Sequence, residues 1–144
     1  MATYYPKHSG IGSTGAYQVS GVPYATASIV VPELSNAPFP VEFQTVTKFV
    51  TIVNTKTGTN VPLRFGFSSL GVTGSATGAP AGGSDHYFVL DNGEAYTGEW
   101  RVSKVFLLGD EKSGTPAQAS IIAGLTSIPA SDLSNNWSGS AGVG

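Results

Sequence analysis

Only two histidines occur in this 144-residue chain, and one of them, His86, directly follows Asp85. An acid beside a histidine is raw material for a serine-type triad, in which a carboxylate orients the imidazole and the imidazole takes a hydroxyl proton. Neighbours on an extended strand point to opposite faces, so Asp85 and His86 do not form such a pair by themselves, and a solvent-facing histidine at a strand start is expected. Ser68 in "GFSSL" resembles the serine of a nucleophile elbow, but Leu70 stands where that motif needs its second glycine, and no helix is expected to follow. "GDEKSGT" (109–115) has neither the length nor the Gly-Lys-Ser order of a phosphate-cradling loop. Two histidines exclude a three-histidine metal site within one chain. With no cysteine there is no disulfide framework, thiolate ligand or cysteine nucleophile.

The remaining candidates read the same way. Asp91 with Glu94, and Asp110 with Glu111, are paired acids that could touch a calcium ion, but solvated turn carboxylates are the simpler reading. Asn136-Trp137-Ser138 fits the N-glycosylation pattern by chance unless the chain is secreted. The expectation is a protein that is not an enzyme, with no catalytic residue, no cofactor and no metal. Lys and Arg are scattered singly, and the formal net charge of −2 offers no basic arm for phosphates, so direct nucleic-acid binding is not expected. The first residues lack the apolar core of a signal peptide, and no window approaches the roughly 18 apolar residues of a membrane span. A soluble, unprocessed chain without a transmembrane segment is expected.

Charge is the most unusual global feature. Asp, Glu, Lys and Arg make up 11% of the chain, against roughly 25% in ordinary soluble domains. A 40% hydrophobic content with clear strand patterns argues against disorder. A folded domain whose surface is partly covered by neighbours reconciles the two. Candidate strands are 16–20, 24–31, 41–54, 61–69, 86–90, 94–98, 99–109 and 117–125, with no trustworthy helical period beyond one turn near Ser131 or Asp132. Leu63, Phe65 and Phe67 oppose Arg64, Gly66 and Ser68, while Trp100, Val102 and Phe106 oppose Arg101 and Ser103. Trp100 is expected in the core.

"VEFQTVTKFVTIVN" (41–54) is too long for an ordinary strand, and its apolar phase shifts from Val41 and Phe43 to Val46, Val50 and Ile52. A bulge or bend near Thr45 would let this run serve both sheets of a sandwich or span one of them. Asn92-Gly93 supplies the positive φ of a tight hairpin turn, "NTKTGTN" (54–60) is a second hairpin candidate, and "LLGDEKSGTPA" (107–117) carries a third, charge-tipped connection. Residues 70–85 form a loop too long and too rich in small residues to be a strand. The fold class expected is all-β: a two-sheet antiparallel sandwich, specifically a single jelly roll at 16–129, with an N-terminal arm at 1–15 and a C-terminal tail at 130–144.

The segments "PFPVEFQTVTKFVTIVN", "VPLRFGFSSLGV", "HYFVLDNGEAYTGEWRVSKVFLLG" and "ASIIAGLTSIP" together resemble the single jelly-roll capsid proteins of large icosahedral double-stranded DNA viruses, in particular their penton or minor capsid proteins. The resemblance covers roughly residues 39 to 129 and rests on strand order and flavour. It implies a structural protein of the virion shell, made in the host cytoplasm, that forms pentamers at fivefold vertices beside neighbouring major and minor capsid proteins. No catalytic residue is carried over. The chain departs from many RNA-virus jelly rolls in having no arginine-rich arm. Tyr4, Tyr5 and Trp137 are the candidate interface residues, Trp137 because no strand places it in a core. Two alternatives stand beside this reading: a capsid cement or decoration protein, and a carbohydrate-binding adhesive jelly roll using Tyr4, Tyr5, Tyr17 or Tyr24.

Overall fold

Two strands emerge from the long run at 41–54, and they lie in different sheets. β2 (Phe39–Glu42) ends two residues before β3 (Thr45–Asn54) begins, so the phase shift near Thr45 is a corner at which the chain crosses the sandwich. The structure is a computed structural model that describes residues 12, 14–77, 79–111 and 114–133. The other strands are β1 (Val22–Val31), β4 (Leu63–Gly66), β5 (Phe88–Leu90), β6 (Ala95–Gly98), β7 (Lys104–Gly109) and β8 (Ala117–Pro129). They form a two-sheet antiparallel sandwich. The first sheet has the order β1-β8-β3-β6 and the second β2-β7-β4-β5. The pairings nest: β1 with β8, β2 with β7, β3 with β6, β4 with β5.

Alternating residues of both sheets fill the space between them. Ile29, Val31, Val50, Ile52, Ala119 and Ile121 of the first sheet meet Val41, Leu63, Phe65, Val105 and Leu107 of the second. Each large aliphatic side chain so buried stabilises the fold by about 1.5–3 kcal/mol relative to exposure. Where β3 slips register against β8, around Thr45–Phe49, hydroxyls replace ladder bonds. Thr47 Oγ1 donates to Trp100 O at 2.6 Å and accepts from Val102 N at 3.1 Å, while Thr126 Oγ1 donates to Val46 O at 2.7 Å.

Several expectations are corrected. Residues 16–20 are not a strand: Thr14–Gln18 is a short helix, α1, whose Ala16 packs on Val46 and Ile128, and five residues are too few to tell a period of two from one of 3.6. The segment 61–69 is strand only to Gly66, and Ser69–Thr73 forms a second helix, α2. The Asn92-Gly93 turn exists, with Gly93 at φ 81°, but it joins β5 and β6 of different sheets and so makes no hairpin. The 54–60 and 109–117 connections also cross between sheets. Phe106 does not share a face with Val102, because the alternation shifts before Lys104: Val105 and Leu107 point inward, and Phe106 and Leu108 pack outside the second sheet. Residues 130–132 form one 3-10 turn with Pro129, not Ser131 or Asp132, at its cap.

Candidate functional site

Two regions gather side chains with chemical potential. The first lies on the outer face of the second sheet, where the long connection between β4 and β5 folds back over the strands. Arg64, only 2% exposed, sits on that face beneath α2. Its Nε donates to Asp110 Oδ1 at 2.6 Å, its Nη1 donates to the carbonyls of Val72 and Thr73 at 3.3 and 3.1 Å, and its guanidinium lies 4.0 Å from the centre of the Tyr87 ring. The sequence placed Arg64 opposite the inward face. The structure buries both faces of β4, because Val72, Ala79 and Tyr87 of the strap at 69–87 pack over the second one with Leu34 and with Phe106 and Leu108 of β7.

Asp85 and His86 belong to this strap. The Asp85 carboxylate accepts from Ser75 Oγ at 2.6 Å and from Ser75 N at 2.8 Å. Those two bonds, the hydroxyl first, hold its pKa below the ordinary 3.8. His86 is exposed, and its backbone N–H donates to Gly71 O and Ser84 O, closing the loop. A helix does follow Ser68, contrary to expectation, and Ser68 Oγ caps it by accepting from Gly71 N at 3.0 Å. Asp110 is engaged by Arg64, and Glu94 Oε2 accepts from Asp91 N at 2.8 Å within the turn. Among the described residues, no group of three His, Cys, Asp or Glu side chains could hold a metal ion. Among them also, no helix is long and apolar enough to cross a membrane.

The second region is the lateral flank where β5 and β6 end the two sheets. Phe88, 68% exposed, and Tyr96, 45% exposed, stand in a row with half-buried Trp100 over the buried ring of Phe65. Phe88 and Tyr96 stack at 6.2 Å, Tyr96 and Trp100 at 5.5 Å and 9°. Trp100 is thus a core tryptophan only on one side. It also folds over Gly98, where a Cβ would collide with the indole. Beyond Trp100 the row opens into a groove of about 310 Å³ lined by Tyr17, Lys48, Glu99 and Arg101. Asn54 fixes the turn behind this flank: its Nδ2 donates to the carbonyls of Val61 and Leu90 at 3.0 and 2.9 Å, and its main chain bonds Gly93 and Glu94.

Sequence reasoning missed this aromatic row. The available signal was "HYFVLDNGEAYTGEW", which carries an aromatic residue on each side of a tight turn. The interface candidates Tyr4, Tyr5 and Trp137 lie outside the described residues, as does Asn136. Tyr24, half-buried, packs edge-on against Phe43 at 5.1 Å on the core of the sandwich. Compared with known proteins, the chain matches no protein-family model and no curated sequence.

Proposed function

We propose that this chain is a structural subunit of a viral capsid shell, in the penton role of five copies around each fivefold vertex. The observation that carries the reading is the nested pairing of β1–β8, β2–β7, β3–β6 and β4–β5. One long antiparallel ribbon rolled on itself would pair this way, which supports a single jelly roll. The two most distinctive pieces of the resemblance, "EFQTVTKFVTIVN" and "IIAGLTSIP", fall largely on β3 and β8, the paired central strands of the first sheet. The four strands of that sheet contain one charged residue, Lys48. A subunit whose surface is covered by neighbouring capsid proteins sheds charge in this way. Apolar burial would dominate the contacts, so salt would weaken the assembly little.

The test is the native particle. The chain should co-purify with purified virions and occupy density at the fivefold vertices in an image reconstruction. Density between other capsomers would make it a cement or decoration protein instead, and absence from the particle would remove the capsid reading. The aromatic row of Phe88, Tyr96 and Trp100 favours a second reading, an adhesive carbohydrate-binding module. Saturable binding to a glycan array, lost on Tyr96→Ala, would select it.

A further inference from the structure

Both lateral flanks of the sandwich expose apolar side chains, and neither can extend its sheet. The β5/β6 flank presents Phe88, Val89 and Tyr96. The β1/β2 flank presents Val22, Val30 (61% exposed) and Phe39 (40%). β1 is broken by a register shift between Thr26 and Ile29 with Ser28 at φ 56°, and β2 contains Pro40, which has no N–H. β5 and β6 are three and four residues long. Edges of these kinds resist strand addition, so whatever covers them docks through side chains.

Charge points to the same partner for both. β1, β5 and β6 contain no charged residue, and β2 has only Glu42, which lies 3.8 Å from Lys104. A neutral strip meets a neutral strip without stripping water from an unpaired charge. The two strips are unlike, one aromatic and the other mainly aliphatic, and they lie on opposite sides. A twofold contact joins a patch to itself and would leave one strip bare. A head-to-tail contact needs two different, complementary patches, and it closes into a ring when the rotation allows.

We infer that the β5/β6 flank of one copy docks against the β1/β2 flank of the next, with Phe88 as its anchor. The inference rests on the capsid reading for the number of copies in the ring, and on the two flanks for the contact itself. Its test uses the full chain carrying Phe88→Glu or Val30→Glu, with Phe88→Ala as the gentler variant of the first flank. Circular dichroism confirms that each is folded, and sedimentation equilibrium reads the assembly. Each charged variant alone should associate roughly 30-fold more weakly than the wild type, the scale of a hot-spot residue. An equimolar mixture of the two should form dimers, because one intact strip of each kind survives.

A mixture that stays monomeric, a Val30→Glu variant that assembles like the wild type, or a wild type that is monomeric throughout would overturn the inference. So would glycan binding lost in Phe88→Ala with self-association unchanged. Assembly through these flanks by a chain absent from virions would refute the capsid reading alone. Virion incorporation by a Phe88→Glu variant with unchanged self-association would refute the flank contact alone.

Discussion

Tyr87 and Phe88 are consecutive aromatic residues with opposite surroundings. Tyr87 lies beneath its own chain, its ring against the Arg64 guanidinium, while Phe88 stands at the edge of the sandwich with most of its surface in water. The difference follows from the connections. The link between β4 and β5 is long enough to fold over the second sheet, and a buried arginine supplies donors for the carbonyls of Val72 and Thr73. The link between β5 and β6 is a turn at Asn92-Gly93 with no length to cover anything. An apolar surface is sealed from within where chain and hydrogen bonds reach it. The flank has neither, and in the proposed contact a second copy covers it.

The largest effect should come from the sealed side. Arg64→Ala removes three hydrogen bonds and the ring contact, and should lower stability by about 3 kcal/mol in urea unfolding, moderated because Asp110 is partly hydrated. If the strap depends on Arg64, amide exchange in residues 69–87 should rise far more than at β5 and β6. Asn54→Ala is the matching change on the open side. It leaves the buried carbonyls of Val61 and Leu90 without their donor and should cost about 2 kcal/mol, with the exchange increase centred on the 91–94 turn. Gly93→Ala should cost about 1 kcal/mol in thermal unfolding, because Gly93 sits at φ 81°.

Acid should loosen the strap before it touches the flank. The pKa of Asp85 is lower in the folded chain than its ordinary 3.8, so the unfolded chain binds the proton first as pH falls. The stabilisation that Asp85 contributes is therefore present above the unfolded value and is lost as pH drops through the folded one. Asp85→Asn should flatten that part of the stability profile by lowering stability in the neutral region, and leave the acid end, where the wild type has already lost the contribution, little changed. A profile identical to the wild type would show that the Ser75 bonds do not hold the strap. The smallest effect is expected at His86, which lies exposed on the strap. His86→Ala should stay within about 0.5 kcal/mol of the wild type in thermal unfolding and leave assembly unchanged.

The sequence and the structure diverge at identifiable places. Strand alternation exposed the all-β class, the inward set of Leu63 and Phe65, and the phase shift before Val46, because a period of two is local. Which sheet a strand joins is not local. Asn92-Gly93 reads as the same tight turn whether its strands pair or part, so that turn and the 54–60 loop read as hairpins although both connections change sheets. The burial of Arg64 was hidden because its partners are carbonyls of Val72 and Thr73, which every sequence supplies, and a short helix that forms under tertiary packing. Phe88, Tyr96 and Trp100 were each visible, but their row arises only when β5 and β6 end two different sheets side by side.

Native mass spectrometry of the full-length chain over a range of concentrations tests most directly whether the open flank is covered by another copy. A closed oligomer, with five copies the number implied by the capsid resemblance, should appear and persist when salt is raised. A chain that remains monomeric at every concentration would contradict the covering of one copy's flank by the next.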